Sequence, residues 1–255
     1  MRIGVLDSGS GGLSVLKQLT RELPNHEYIY FGDNARLPYG DKSKRTIVRY
    51  ATEIAKFLLA QGVDLLVIAC NTIDANARTH IERLCPVPVI GVIQPTIDHI
   101  AASGYTHVAV AATTATIMSG IYQGKLARYG IYATPIACPD IVPLIETRNL
   151  GADLDAAIHK YFHILLNPNP AISTNVEAVV LGCTHYPLVK DRISAYLAAH
   201  GLDIPLINPA QHTAAHVAKI VPPNPVGETT LTFHFSKNDP VTNDRVERIF
   251  GSQSS

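Results

Sequence analysis

The sequence lacks a net charge, a long apolar run and a signal peptide. Its 255 residues include 21 basic and 21 acidic side chains, so no overall field favours nucleic acid or an anionic membrane surface as a partner. No apolar stretch is long enough to span a bilayer, and the first residues run directly into a predicted strand. The apolar content of 47% is that of a globular chain. We therefore expect a cytoplasmic globular protein without a nucleic-acid or membrane partner.

Cysteine is scarce, and its spacing argues against two further classes of protein. The four cysteines are Cys70, Cys85, Cys138 and Cys183, which are too few for a disulfide framework. They form no C-x-x-C pair of the kind that binds zinc, so we expect no structural metal. Cys85 and Cys138 each precede a proline and have no polar company, which is typical of small buried side chains.

Strand-like and helix-like patterns alternate along the chain and begin again near residue 108. Predicted strands cover residues 2–6, 28–31, 63–69, 88–92, 108–112, 132–137, 178–181 and 206–207. Predicted helices cover residues 13–23, 43–61, 73–84, 97–103, 117–129, 153–166, 190–200 and 210–220. Such alternation is typical of parallel sheets with helices on both faces. The repeat predicts two similar α/β lobes related by pseudo-two-fold symmetry, with an active site in the cleft between them.

The boundaries of the two lobes follow from the point at which the pattern begins again. We predict an N-terminal lobe over residues 1–97, joined by the C-terminal segment 209–255, and a second lobe over residues 98–208. Within the C-terminal segment, residues 229–235 alternate like an edge strand. No role for residues 222–255 follows from the sequence alone.

Two of the cysteines end similar apolar runs, Cys70 after residues 63–69 and Cys183 after residues 176–182, and hydrogen-bonding residues follow each of them. Ligands of open α/β sheets bind beyond the carboxyl ends of the strands, and the start of a following helix stabilises a thiolate. Two facing thiols can remove a proton from one side of a carbon and deliver one from the other. This arrangement predicts inversion of a stereocentre without a cofactor. A dithiol redox pair is the alternative, although such pairs usually share one C-x-x-C segment.

Two loops are predicted to lie at the same cleft. Residues 7–12 join the first predicted strand to a helix, and their glycines allow an anionic ligand to approach the helix N-terminus. Ser14 stands where a dinucleotide fingerprint has its third glycine, but Asp33 at the end of the second strand keeps a nucleotide alternative open. Residues 31–40 form a turn-rich loop that we expect to cover the cleft.

Several motifs span nearly the whole chain: Asp7-Ser8-Gly9 with Gly11-Gly12, Pro38-Tyr39-Gly40, Ala69-Cys70-Asn71-Thr72, Val142-Pro143-Leu144-Ile145-Glu146 and Leu181-Gly182-Cys183-Thr184-His185. In sequence and order they resemble the glutamate racemase branch of the aspartate/glutamate racemase superfamily. The resemblance implies interconversion of L- and D-glutamate without a cofactor or metal, supplying D-glutamate for peptidoglycan. It also implies a homodimer.

The resemblance also implies roles for individual residues. Cys70 and Cys183 are the implied acid/bases, the first deprotonating D-glutamate and the second L-glutamate. Asp7 and His185 are implied to orient or tune the thiols, with Glu146 as a further candidate near His185. The implied substrate contacts are Asp7, Ser8, Tyr39, Gly40, Asn71, Thr72, Thr184 and His185.

Several positions depart from the family pattern: Ser10 replaces a usual Val, Ile73-Asp74 a common Ala-Ser, Gln94 a common Glu and Asn208 a frequent Asp. A carboxylate at Asp74 suits the start of a helix, but in the pocket it would repel the substrate and raise the pKa of Cys70. Aspartate or another acidic amino acid therefore stays open as the substrate. So does a catalytically weak protein that closes on an amino acid. A pyridoxal phosphate enzyme is disfavoured because no lysine ends a comparable strand.

Overall fold

The structure is a computed structural model that describes residues 1–166 and 175–251. Its strands are β1 (Arg2–Asp7), β2 (Glu27–Gly32), β3 (Leu65–Ile68), β4 (Val89–Gly91), β5 (His107–Ala112), β6 (Tyr132–Ala137), β7 (Ala178–Gly182), β8 (Leu206–Ile207) and β9 (Thr230–Phe235). Its α-helices are α1 (Leu13–Glu22), α2 (Lys44–Ala60), α3 (Asn71–Leu84), α4 (Ile93–Ala102), α5 (Thr114–Met118), α6 (Ile121–Ala127), α7 (Ile141–Glu146), α8 (Ala152–Phe162), α9 (Lys190–Ala199), α10 (Pro209–Ile220) and α11 (Pro240–Phe250). Among the helices of these ranges, none combines the length and apolarity needed to cross a membrane.

The strands form two parallel sheets with one shared order. The first sheet runs β4-β3-β1-β2-β9 and the second, from its opposite edge, β8-β7-β5-β6. When the strands are numbered within each half of the chain, both sheets have the spatial order fourth, third, first, second. Strand β9 is an additional strand that pairs with β2 of the first sheet. The predicted fold class, two similar parallel-sheet α/β lobes, is confirmed.

The central strands form because their residues suit burial on both faces. Each residue of β3, β5 and β7 is buried, which is why these strands are continuous runs of Val, Leu, Ile and Ala rather than alternating patterns. Pro135 lies in β6, at the edge of the second sheet, where a missing N–H costs no ladder hydrogen bond. The buried strands at the centre of each sheet could thus be predicted from the sequence.

Three predicted helices differ from those in the structure. The helix expected over residues 117–129 is two helices, α5 and α6, separated at Gly120, whose φ is +67°. The helix expected over residues 153–166 ends at Phe162 and continues as a 3-10 turn over His163–Leu166. Helix α4 begins at Ile93, four positions before its predicted start. Helices α7 and α11 lie outside the predicted elements.

One hydrophobic core joins the two halves of the chain. Fully buried side chains meet there from four helices: Leu16 of α1, Ile97 of α4, Leu126 of α6 and Val217 of α10. Strands from both sheets contribute to the same cluster, and α10 packs against α1 and α4. The two sheets are therefore held together on one side, which fixes how their carboxyl-terminal strand ends face each other.

Candidate active site

The two cysteines lie where each sheet is expected to bind a ligand. In a sheet of this order, the crevice lies beyond the ends of its first and third strands. Asp7 ends β1 and Cys70 follows β3, while Thr113 follows β5 and Cys183 follows β7. Cys70 and Cys183 line one small cleft together with Ser8, Leu37, Pro38, Tyr39, Gly40, Asn71, Thr72, Thr113, Val142, Thr184 and His185. The structure thus brings the predicted substrate contacts together. Asp7 and Glu146 do not line the cleft, but they contact the lining residues Thr184 and His185.

Cys70 is the N-cap residue of α3 and is 5% exposed. Its Sγ lies 3.3 Å from the hydroxyl oxygen of Ser8. Burial, followed by the charge of Asp7, raises the pKa of Cys70 to about 12, although the backbone N–H groups of Ile73 and Ser8 act in the opposite direction. The raised pKa makes this sulfur a neutral thiol. The neighbouring N–H and hydroxyl groups are those that would stabilise its thiolate.

Cys183 is the matching residue of the second half and is 7% exposed. Its Sγ lies 3.9 Å from Nδ1 of His185. Burial is the main cause that raises the pKa of Cys183 well above its ordinary value, and the charges of Cys70 and Asp7 raise it further. Because ionisation of Cys70 disfavours ionisation of Cys183, the cleft favours one thiolate at a time.

Asp7 connects the two halves below the thiols. Its carboxylate accepts hydrogen bonds from the Gly9 N–H at 2.9 Å and from the Thr184 hydroxyl at 3.3 Å. The chain approaches this side chain so closely that a Cβ at Gly12 would lie 2.6 Å from the Cβ of Asp7. Burial raises the pKa of Asp7, and the nearby His185 lowers it. Asp7 is therefore a buried carboxyl group whose charge acts on both thiols.

Beside Cys183, His185 begins a series of side-chain contacts that continues to Glu146 and Arg245. Its Nε2 lies 2.8 Å from Oε1 of Glu146, as the family resemblance implied. Burial favours the neutral form of Glu146, but His185 and Arg245 outweigh it and hold the pKa of Glu146 at about 2. Arg245 lies in the C-terminal segment, and sequence reasoning missed it. Its contacts join residues far apart in the chain, so no local motif could have identified it.

The residues after Cys70 tie the two sheets together. The Thr72 hydroxyl lies 2.8 Å from that of Thr113, which follows β5 of the other sheet. The Tyr122 hydroxyl donates to the Asn71 side-chain oxygen at 2.7 Å. Two of the predicted contacts therefore bond to residues of the second half of the chain.

The loop over residues 31–40 closes one side of the cleft. The Tyr39 hydroxyl donates to the buried carboxylate of Asp33, and a Cβ at Gly40 would lie 2.6 Å from the Cβ of Thr113. What remains is a cavity of about 10 Å³ for the centre of a water molecule, roughly what one water requires. In this conformation the cleft is therefore too narrow for a ligand much larger than water.

The family departures at residues 74, 94 and 208 lie outside this cleft. Asp74 turns its carboxylate to the start of α4, where Oδ2 accepts from the Ile93 N–H at 2.7 Å. Gln94 donates to Asp98 at 2.7 Å, and Asn208 caps α10. Each has a structural partner outside this cleft, and Asn208 also lines a separate small cavity that borders Cys183. Within the two described ranges, no group of His, Cys, Asp and Glu side chains is arranged to hold a metal ion.

The fold and site together define a two-lobed α/β protein with paired cysteines at equivalent strand ends. A sequence model of the Asp/Glu/Hydantoin racemase family matches residues 3–217. A glutamate racemase of Aquifex aeolicus is 40% identical over 234 residues, covering 91% of this chain and 88% of the relative. One of a Hydrogenobaculum species is 35% identical over 254 residues, covering 99% and 94%.

A crystal structure of the glutamate racemase of Francisella tularensis with D-glutamate has a TM-score of 0.88 and 32% identity, covering 100% of this chain and 95% of that one. The chain belongs to the Asp/Glu/Hydantoin racemase family. The membership and the enzyme class predicted from the sequence, an amino-acid racemase, are therefore confirmed.

Proposed function

We propose that this enzyme interconverts L- and D-glutamate by acid/base catalysis on Cys70 and Cys183, without a cofactor, and so supplies D-glutamate for peptidoglycan. One observation carries the proposal: the two sulfurs line a single cleft from equivalent positions of two similar sheets. The names of the relatives and the D-glutamate bound to the Francisella enzyme support the choice of substrate.

The proposed step balances two protons on one carbon. The thiolate of one cysteine takes the α-proton, and the thiol of the other delivers its proton to the opposite face, so the two sulfurs exchange protonation states. We assign deprotonation of D-glutamate to Cys70 and of L-glutamate to Cys183. The raised pKa of both thiols means that the ligand-free cleft holds them neutral. The α-ammonium of a bound amino acid adds a positive charge beside them, which favours one thiolate.

The polar groups around the sulfurs have separate proposed roles. His185 lies 3.9 Å from Cys183 and the charge of Asp7 acts on both thiols, so these two residues tune the sulfurs, and Glu146 orients the His185 ring. Hydroxyl, amide and backbone groups bind the substrate carboxylates and ammonium, with charge on the α-carboxylate growing as its neighbouring proton leaves. The proposed substrate contacts are Asp7, Ser8, Tyr39, Gly40, Asn71, Thr72, Thr184 and His185.

Replacement of each cysteine by serine tests the mechanism. We expect Cys70→Ser and Cys183→Ser to lower inversion by roughly 10²–10⁴-fold, the usual contribution of a positioned acid or base. Each variant keeps exchange of the α-proton for deuterium from one enantiomer only, because one thiol remains. The measurement follows exchange and inversion in D₂O with both enantiomers of glutamate and of aspartate. Cys138→Ser, a buried cysteine outside the cleft, is the matched control.

Two results would overturn the proposal. Faster inversion of aspartate than of glutamate would assign the alternative substrate. Normal ligand binding by both serine variants, with a native protein that never inverts any of the four substrates, would assign an amino-acid-binding protein. We also propose that the enzyme is a cytoplasmic homodimer, which sedimentation of the purified protein tests for the oligomeric state.

A further inference from the structure

The C-terminal segment contacts both halves of the protein beside the Cys183 side of the cleft. Strand β9 pairs with β2 of the first sheet, and helix α11 follows it. From α11, Asp244 accepts from Arg148, which follows α7 of the second half, at 2.7 Å. One turn of α11 thus faces the end of α7, and this is the same turn that carries Arg245.

Arg245 is 12% exposed and reaches two residues with a single nitrogen. Its Nη1 lies 2.6 Å from Oε1 of Glu146 and also donates to the Ser10 hydroxyl. The same Glu146 oxygen lies 2.8 Å from Nε2 of His185, whose Nδ1 lies 3.9 Å from Cys183. The four side chains therefore form a continuous series of contacts from α11 to one of the two sulfurs.

Ser10 gives a second, independent link to this series. It lies in the glycine-rich loop after β1 and is 1% exposed. A valine has no acceptor for a guanidinium, whereas the serine hydroxyl holds Arg245 from the first half of the chain. A buried hydroxyl of the first half of the chain thus contacts Arg245 of the C-terminal segment.

We propose that Arg245 is a positioning residue for racemisation, which holds the Glu146 carboxylate against His185 and thereby fixes the imidazole beside Cys183, with Ser10 holding Arg245 in place. The inference rests on the proposed two-cysteine function. Among the described residues, Cys70 has the Ser8 hydroxyl as its side-chain partner rather than such a series. Arg245 therefore acts on the proton transfer at Cys183 and not on the one at Cys70.

The physical basis is the loss of a partner by a largely buried carboxylate. The Glu146 side chain is 18% exposed and that of His185 is 2% exposed. Without Arg245, Glu146 loses its guanidinium partner and turns toward water, which leaves the Nε2 side of His185 unsupported. An imidazole free to turn no longer presents Nδ1 to the sulfur in one geometry.

Kinetic isotope effects distinguish this role from a structural one. Because L- and D-glutamate have equal free energies, any variant changes kcat/KM equally in both directions, so rates alone do not identify the affected step. We expect Arg245→Met to lower kcat by about 10–100-fold, the usual cost of removing an outer partner of an active-site group, with little change in KM. The deuterium effect rises for α-deuterated L-glutamate, deprotonated by Cys183, and falls for the D-isomer.

Three further variants serve as controls. Arg245→Lys keeps a positive donor and restores most of kcat. Arg248→Met removes a 73%-exposed arginine from the same helix, and Arg148→Met removes the other contact between α11 and the end of α7. We expect both of these variants to retain native isotope effects. If Arg148→Met reproduces the loss seen in Arg245→Met, docking of α11 is the cause and the inference is wrong.

A double variant tests Ser10, and also covers failure of Arg245→Met to fold. If Ser10 acts only through Arg245, Ser10→Val lowers kcat alone but adds nothing to Arg245→Met or Arg245→Lys. Additive losses, or native isotope effects in Arg245→Met, overturn the inference. The proposed function fails separately, because its failure is seen in the native protein, which would then invert aspartate faster than glutamate or invert none of the four substrates.

Discussion

Asp74 is an ionisable side chain in a buried position, where burial disfavours its charged form. Its side chain is 1% exposed, and burial raises its pKa to about 6 even though Arg78 and the Ile93 N–H favour the carboxylate. The folded protein therefore keeps a proton on Asp74 in a pH range where the unfolded chain has lost it. Stability from this residue falls as pH rises from about 4 to about 6, by about 3 kcal/mol in all, and is constant above that range.

Replacement of Asp74 tests both its charge and its direction. We expect Asp74→Asn to lose this pH dependence, so that denaturant unfolding shows a smaller change in stability between pH 4 and pH 7 than in the native protein. Asp41→Asn, at an exposed aspartate, is the control and keeps it. Asp74→Ser leaves kcat and KM for glutamate unchanged, because the carboxylate faces α4. A gain in glutamate affinity would show that Asp74 reaches the pocket.

Some site residues are placed by their own short segment and can be predicted from the sequence. Others are placed by contacts with distant parts of the chain and cannot. Cys70, Cys183 and His185 follow strands directly, so the position of each depends on its own short segment. The direction of Asp74 depends on Ile93, 19 residues away. Arg245 contacts partners 99 and 235 residues away. Such contacts exist only once both sheets have assembled, and no periodic pattern encodes them.

At the scale of the elements, α5 and α6 show what a single glycine decides. The pattern over residues 117–129 predicts one helix, since its apolar residues recur at helical spacing. Gly120 interrupts it with a φ of +67°, a conformation that glycine adopts without strain, while Gly124 lies within α6. The Gly120 turn lets Tyr122 point toward Asn71 at the cleft.

Two glycine substitutions on this segment should have opposite effects. Gly120→Ala forces a Cβ into a left-handed conformation and destabilises the protein by roughly 1 kcal/mol. Gly124→Ala, in an exposed helical turn with open space around it, stabilises it by about 0.5–1 kcal/mol. Thermal or denaturant unfolding of both variants measures the difference. Equal effects of the same sign would mean that residues 117–129 form one continuous helix in solution.

Helices α7 and α11 explain why some elements escape prediction. Helix α7 has six residues and includes Pro143, which fits its first turn but masks the helical signal. Helix α11 begins with Pro240 after a polar stretch, and its cap at Asp239 is a local feature that the sequence does contain. Long buried strands, by contrast, are predictable because apolar β-branched runs leave few alternatives.

At the scale of the whole molecule, the hydrophobic core that joins the two halves limits how the cleft between them can open. The lobe division into residues 1–97 with 209–255 and residues 98–208 remains a proposal. The pairing of β9 with β2 and the packing of α10 on α1 and α4 support it. Residues 252–255 lie outside the described residues. Opening must separate the strand ends while the core on the other side stays packed.

Cysteine labelling measures this opening. We expect iodoacetamide to modify the partly exposed Cys85 first, then Cys70 and Cys183 when the cleft opens, and the fully buried Cys138 only on global unfolding. D-Glutamate slows labelling of Cys70 and Cys183 but not of Cys85. Mass spectrometry of the labelled peptides gives all four rates. Modification of Cys138 as fast as of Cys183 would contradict a separate opening motion.

Strand β9 has a consequence for the solubility of the protein. It occupies the outer side of β2, whose core residues include Tyr28, Ile29 and Tyr30. Without β9, the N–H and C=O groups of that apolar strand would be free to pair with another chain. Proteolysis between α10 and β9 should therefore make the protein aggregate before it measurably unfolds.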